Sequence, residues 1–411
     1  MTNDDFYERI LGLAAPWFVE RVELNVIQGR VDVFVEHREG WTWRCPHCQA
    51  ACPLHDHLPS RAWRHLDTCQ MQTFLHARGP RIDCPTHGVQ AAALPWAEPL
   101  SRFTRMMEAL VIDLLRHCRN ITSAAALARL SWKQCSHIMA RAVARGLARR
   151  EEGGPLPVKR LCVDEKRYQR GHVYATVVCD VDKGIVLDVI DGHKTESLAS
   201  FYRDLSRDQR ERIQAVAMDM HAPYIAATRD GLPGGESKIV FDRFHIMKQT
   251  NEALERVRAG EHRELRVAGN DTLERARQML LWADENRPAK YDDRMKRLRE
   301  QDLRTGQAWS MKENLRRLWE CQTVAKARDF FKSWFDWATG SAIKPMQRLA
   351  RLLSTRLENI IRFVEHPITT AKSEGINSQI SSAQHRAAGY RNFSRLRQAI
   401  LFFCGGLRLH P

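Results

Sequence analysis

The sequence predicts a multidomain α/β protein, and three features of its layout carry that expectation. Cysteines crowd the first quarter beside segments that alternate apolar and polar residues, and a stretch of helical period with a basic face follows. Beyond it, short β-rich runs alternate with helices and lead into a long, charged helical segment. At 411 residues the chain exceeds what one ordinary core serves, which points to about two to four domains. The expected divisions are a zinc-binding β module at 1–98, a helical unit at 99–153, an α/β core in two parts at 158–258 and 357–404, and an all-helical insertion at 259–356.

The first module follows from two β-rich pieces. Residues 20–36, ERVELNVIQGRVDVFVE, alternate around Gln28-Gly29 and predict a hairpin that feeds CPHC at 45–48. A second alternating stretch, MQTFLHARGPRIDC, feeds CPTH at 84–87. Cys45, Cys48, Cys84 and His87 thus offer three thiolates and an imidazole, a donor set suited to tetrahedral Zn²⁺. Cys52, Cys69, His47, His55 and His57 stay open as alternatives for the fourth position. The start, MTNDDFYERI, is acidic where a secretory signal is basic, and no run approaches the roughly 18 apolar residues of a membrane span. A cytoplasmic protein with no membrane partner is expected, in which clustered cysteines point to metal rather than to disulfides.

The helical unit begins near Ser101, where Phe103, Met106, Met107, Leu110, Val111, Leu114 and Leu115 recur at three- and four-residue spacing. A second helix starts near Thr122, breaks at Leu130-Ser131 and resumes as SWKQCSHIMARAVARGLARR, where Ser131 and Gln134 fit a capping box. This last helix presents Lys133, Gln134, His137, Arg141 and Arg145, with Arg149 and Arg150 behind them. Such a face suits a recognition helix in a DNA major groove, and it also suits a helical hairpin with a solvated basic side. The net charge of +15, from 64 Lys and Arg against 49 Asp and Glu, favours a polyanionic partner. Arg386, Arg391, Arg395 and Arg397, interleaved with Tyr390 and Phe393, form a second basic surface of the same kind. Gly153, Gly154, Pro155 and Pro157 mark a linker.

After the linker, VKRLCVD ending at Asp164, HVYATVVCD ending at Asp180, and GIVLDVI read as three consecutive strands. A helix at about 195–210 precedes a fourth strand, IQAVAMD ending at Asp219, and another precedes a fifth, SKIVFD ending at Asp242. If the first strand lies beside the fourth, as in the ribonuclease H arrangement, Asp164 and Asp219 converge where open α/β sheets hold their ligands. Like charges that close call for a cation, and oxygen-only donors favour Mg²⁺ or Mn²⁺. Glu374 is the expected third ligand, because Glu374, Asn377, Ser378 and Ser381 share one helical face while Ile376, Ile380 and Ala383 share another. Two ions so held suit in-line phosphoryl transfer. Asp180 is expected to serve its turn, whereas Asp242 either caps the next helix or stands in the second shell beside His245.

Taken in order, CPHC with CPTH, LCVDEKRY, AVAMDMHAPY, VFDRFHIMK and SEGINSQISSAQHRAAGYRNF resemble the ISL-three family of bacterial insertion-sequence transposases over nearly the whole chain. The resemblance implies a DDE transposase with a helix-turn-helix domain at 99–153 and a ribonuclease H-like core interrupted by the helical insertion. Asp164, Asp219 and Glu374 are its implied metal ligands. It also implies double-stranded DNA as partner, both as transposon ends and as target. A homodimer or larger assembly would cut the two ends together. At Ser381, seven residues after Glu374, the sequence departs from the family pattern, which carries a basic residue near there. The alternatives are a DNA-binding regulator without catalysis and a ribonuclease H-like nuclease that cuts and never joins.

Overall fold

A computed structural model describes residues 3–154, 157–169, 171–368, 370–386 and 390–411, the side chains of 3–5 and 370–374 excepted. Pro155 of the linker lies outside the described residues. The chain forms two compact units, Met1–Glu152 joined by Leu407–Pro411, and Gly153–Gly406. No helix among the described residues is long and apolar enough to cross a membrane.

The first unit opens with α1 (Asn3–Leu11), β1 (Trp17–Asn25) and β2 (Arg30–His37). The two strands form the expected hairpin, with Asn25 opposite Arg30 and Gly29 at φ +59°, a conformation that costs glycine little. β3 (Trp43–Arg44), β4 (Ala51–Cys52), β5 (Leu54–His57), β6 (Arg61–Arg64), β7 (Gln72–Ala77), β8 (Pro80–Cys84) and β9 (Gly88–Ala91) follow. A four-stranded sheet runs β1-β2-β7-β6, and smaller sheets join β5-β8-β9 and β3-β4. Period two sends Val31, Val33 and Val35 of β2 and Leu75 and Ala77 of β7 inward, onto Trp17, Trp43, Trp63 and Trp96.

Three helices complete this unit: α2 (Arg105–His117), α3 (Ile121–Ala128) and α4 (Trp132–Glu152). Thr104 caps α2 and Asn120 caps α3. The capping box of α4 is present, with the Ser131 N–H donating to Gln134 Oε1 at 2.8 Å and the Gln134 N–H to Ser131 Oγ at 3.3 Å. Residues 407–411 lie along α4, where a Cβ on Gly146 would stand 2.7 Å from the Leu407 side chain. Arg141 and Arg145 correct the sequence reading, because both turn into this unit instead of toward solvent. Arg145 grips Glu98 in a two-pronged pair (2.7 and 2.6 Å), meets Glu108 at 2.8 Å and donates to the Leu409 carbonyl. Arg141 pairs with Glu108, whose side chain is 1% exposed. A carboxylate that deep requires neutralising partners, and the two arginines supply them.

The second unit is built on a five-stranded sheet of order β12-β11-β10-β13-β14, from β10 (Arg160–Gln169), β11 (Val173–Asp180), β12 (Ile185–Asp191), β13 (Ala215–Met218) and β14 (Ile239–Phe241). β10 pairs with β13 in parallel, so the first and fourth strands are neighbours. One correction concerns Asp164, which lies inside β10 and not at its end. The strand continues to Gln169 against β11, while its pairing with β13 spans Arg160 to Cys162 only. One sheet face, carrying Leu161, Val163, Val216, Met218 and Phe241, packs on α5 (Thr195–Asp204) and α7 (Ala222–Gly231), with the short α6 (Arg207–Arg212) between them in sequence. The other face, carrying Cys162, Ala215, Ala217 and Val240, meets Phe363 and Ile368.

The helical stretch runs through α8 (Arg243–Val267), α9 (Arg277–Leu281), α10 (Asp292–Glu300), α11 (Arg304–Arg316), α12 (Val324–Gly340), α13 (Lys344–Ser354) and α14 (Leu357–Ile361). Its apolar residues, among them Leu254, Trp309, Met311 and Trp334, belong to the same core as the first sheet face. The unit closes with α15 (Thr370–His385) and α16 (Phe393–Cys404), the latter against β12 through Arg397 and Asp188 at 2.9 Å.

Arg145→Ala should lower the stability of the first unit by about 3 kcal/mol, and Arg145→Lys should recover only part of it, since an ammonium cannot span both Glu98 oxygens. Denaturant unfolding followed by tryptophan fluorescence measures both. A second expectation concerns His65, 3% exposed and hydrogen-bonded to Thr104 Oγ1 at 2.9 Å. Burial, and then the charge of Arg64, bring its pKa from the usual 6.5 down to about 4. Between those values the unfolded chain binds the extra proton, so stability is full above pH 6.5 and declines as pH falls through the window, by at most about 3 kcal/mol. His65→Gln should flatten that decline, and equal slopes for the two proteins would remove His65 as its source.

Candidate functional site

The acids of the second unit are arranged by strand register. β10 and β13 pair Leu161 with Val216 and Cys162 with Ala217, so two residues further on Asp164 comes level with Asp219. β13 and β14 pair Met218 with Phe241, which in the same way sets Asp219 level with Asp242. Adjacent strands stand about 4.8 Å apart, so the three positions form a row across the sheet, and the alternation of strands puts all three on the face of Cys162, Ala217 and Val240.

The hydrogen bonds to this row come mostly from neutral donors. Asp164 Oδ1 accepts from the Glu165 N–H at 2.8 Å, and its Oδ2 accepts from Asn377 Nδ2 at 2.7 Å with Lys166 Nζ at 3.9 Å. Asp219 Oδ1 accepts from the His221 N–H at 3.2 Å. Asp242 caps α8 by accepting from the Phe244 N–H at 2.9 Å, and the half-buried His245 follows on the first turn with its ring edge-on to Phe244. Asp180, 1% exposed, accepts from the Asp182 and Lys183 N–H groups and serves its turn. Burial raises the Tyr224 phenol well above its usual pKa, and the charges of Glu165, Asp219 and Asp164 push it the same way.

Helix α15 is fastened along β10 at two points: Asn377 on Asp164, and Gln384 Nε2 on the Arg167 carbonyl at 3.4 Å. Seven helical residues span about 10.5 Å and three strand residues about 10 Å, so the helix and strand keep step. The expected apolar face, Ile376, Ile380 and Ala383, is buried. Glu374 belongs to α15, but its side chain lies outside those described.

A separate cluster sits in the first unit. The ligand atoms of Cys45, Cys48, Cys84 and His87 all lie within 4.8 Å of one another. Cys48 and Cys84 sulfurs are 3.6 Å apart, and His87 Nδ1 stands 3.7 Å from Cys45 Sγ and 3.6 Å from Cys84 Sγ. The edges of a tetrahedron around zinc are about 3.8 Å between thiolates and about 3.6 Å from thiolate to imidazole, so the set fits that ion. Desolvation pushes the Cys84 thiol up, but the backbone N–H groups of Thr86 and His87 and the thiols of Cys45 and Cys48 outweigh it and bring it down to about 7. That favours the thiolate a metal needs.

On α4, Trp132, Lys133, Gln134 and His137 are exposed, whereas Arg141 and Arg145 are committed to Glu108 and Glu98. The Gln134 amide oxygen is taken by the capping box. In the second basic surface, Arg397 pairs with Asp188 and the Arg386 guanidinium lies 4.5 Å over the Phe403 ring; the side chains of Arg391 and Arg395 are exposed to solvent.

A family model described as a transposase, that of the DDE enzymes of the ISL3 group, matches residues 161–400. The chain belongs to the ISL3 transposase family. Two further models match this family member, the helix-turn-helix domain of transposase family ISL3 over residues 92–143 and the zinc-finger of the transposases of IS204, IS1001, IS1096 and IS1165 over residues 41–87. The chain is 28% identical over 389 residues to a transposase for insertion sequence element IS1001 from Bordetella parapertussis, covering 93% of this chain and 94% of that protein. It is 26% identical over 421 residues to transposases for insertion sequence element IS1557 from two strains of Mycobacterium tuberculosis, covering 95% of this chain and 93% of each.

Two participants escaped sequence reasoning in this ISL3 transposase. The sequence sets Asn377 on the polar stripe of its helix but cannot show its partner, because Asp164 lies 213 positions away. Glu108 left a visible signal, an acid flanked by Met107, Val111 and Ile112 at core positions of an amphipathic helix, which calls for a buried cation. For the zinc cluster, Cys84→Ser should abolish stoichiometric zinc in the purified protein, measured by atomic emission, while Cys52→Ser should retain it. Zinc kept in His87→Ala and lost in Cys52→Ser would reassign the fourth ligand.

Proposed function

We propose that this chain is the transposase of an insertion sequence, which binds the terminal inverted repeats, cleaves DNA at the element's ends and joins the 3′-hydroxyls to target DNA. The observation that carries this reading is the level placement of Asp164 and Asp219 with α15 fastened at Asp164 by Asn377. Glu374 precedes Asn377 by three residues, a rise of about 4.5 Å, and residues three apart share a helix face, which supports it as the third acid of the site. The sheet order, with an antiparallel β10-β11-β12 meander on one side of β10 and the parallel pairs β10-β13 and β13-β14 on the other, supports a ribonuclease H-like core. An oxygen-only donor set of closely spaced carboxylates fits Mg²⁺ or Mn²⁺.

When bound, such ions supply a lowered pKa to the attacking oxygen and charge stabilisation to the leaving oxygen. The protein's own part is to hold the carboxylates close and oriented. Strand register brings Asp164 and Asp219 together, and the donors from Glu165, His221 and Asn377 fix their oxygens. Asp242, one strand beyond Asp219 in the same row, caps the start of α8, the helix that carries His245. Exposed Lys133, Gln134 and His137 at the start of α4 suit base and phosphate contacts in a major groove. The Cys45, Cys48, Cys84 and His87 cluster would hold Zn²⁺ in the first unit, which the spacing of its ligand atoms supports. Two ends cut in concert imply a dimer or larger assembly on DNA.

Asp219→Asn should reduce end cleavage and joining by at least about 100-fold while leaving binding to the terminal repeats and thermal unfolding unchanged. Gel assays on a duplex carrying the element's ends with Mg²⁺ check it. Undiminished cleavage would remove Asp219 from the site, and binding without any scission by the unaltered protein would favour a regulator.

A further inference from the structure

We propose that Asn377 is a positioning residue for Asp164, and that it holds the carboxylate and α15 in the arrangement a divalent ion requires. The inference rests on the reading of Asp164 as a metal ligand. Asn377 is half-buried, and its Nδ2 donates to Asp164 Oδ2 at 2.7 Å, while Oδ1 of the same carboxylate takes the Glu165 N–H at 2.8 Å. With one donor on each oxygen, rotation about the Cβ–Cγ bond breaks both hydrogen bonds, yet each oxygen keeps a lone pair for a cation. An arginine in this place would neutralise the charge and compete with the ion; a carboxamide orients the carboxylate and leaves its charge available.

Asn377 is itself held. Its carbonyl accepts from Ser381 Oγ at 2.8 Å, and Gln384 on the Arg167 carbonyl keeps the same helix face against β10 two turns later. Ser381, the position where the sequence departs from the family pattern, thus braces the turn that carries Asn377. One amide thereby joins the strand that bears Asp164 to the helix that bears Glu374.

The test uses the full-length protein and a duplex carrying the element's ends, with cleavage measured across a Mg²⁺ series. Asn377→Ala should raise the Mg²⁺ needed for half-maximal cleavage by about 10-fold, with a smaller change in rate at saturating Mg²⁺. Asn377→Asp keeps the shape, removes the donor and adds a negative charge, so its loss should be larger. Mn²⁺ binding to the DNA-free protein, followed by calorimetry, should weaken in parallel, a readout that a merely structural role would not move. If the alanine variant fails to fold, Asn377→Asp decides the question by the same titrations. Unchanged metal dependence in a folded variant, with Asp164→Asn inactive, would overturn the positioning role and leave the metal site standing. An active Asp164→Asn would overturn both.

Discussion

Parallel pairing of β10 with β13, in a register that sets Cys162 opposite Ala217, is the constraint on which the placement of the second unit's acids depends. A slip of one residue along either strand would turn its aspartate to the opposite face. The register is held by burial, since Leu161, Val163, Val216 and Met218 are each at most 2% exposed and would have to exchange places with Cys162 and Ala217. The same alternation that packs α5 and α7 against one face aligns the acids on the other. Core packing and acid placement are therefore one requirement on the sequence.

The two units treat acidic side chains in opposite ways. Glu108 is encased and answered by two arginines and by the Ser101 hydroxyl, which donates at 2.7 Å. Its charge is neutralised and serves cohesion. Asp164 and Asp219, half-buried, receive backbone N–H groups and a carboxamide, with Lys166 at the margin of ion-pair distance. Neutral donors lower the energy of the ionised form without cancelling its field. That difference separates an acid neutralised inside a core from acids held by neutral donors at a sheet face.

What was legible in the sequence was local. The Gln28-Gly29 hairpin, the Ser131–Gln134 capping box and the Cys and His spacing of 45–48 and 84–87 are written within a few residues, and the structure contains each. The strand carrying Asp164 was read too short, because EKRYQ has no apolar alternation; those residues pair with β11 beyond the stretch that β13 shares. Arg141 and Arg145 looked like a solvated basic face because period alone cannot reveal Glu98, 47 positions from Arg145, or Glu108, 37 positions away. The helix bearing Glu374 was legible from its buried Ile376, Ile380 and Ala383, but its match to β10 through Asn377 and Gln384 is a long-range relation that no window contains.

The threading of residues 407–411 through the first unit orders events during synthesis. Leu409 is 1% exposed, and the carbonyls of Arg408, Leu409 and His410 accept from Arg145 and Arg149. Gly153–Gly406 lies in the chain between α4 and this segment. A ribosome must therefore deliver the whole second unit before the helices of the first unit acquire the buried Leu409. The packing of the first unit is completed only after the second unit has been made.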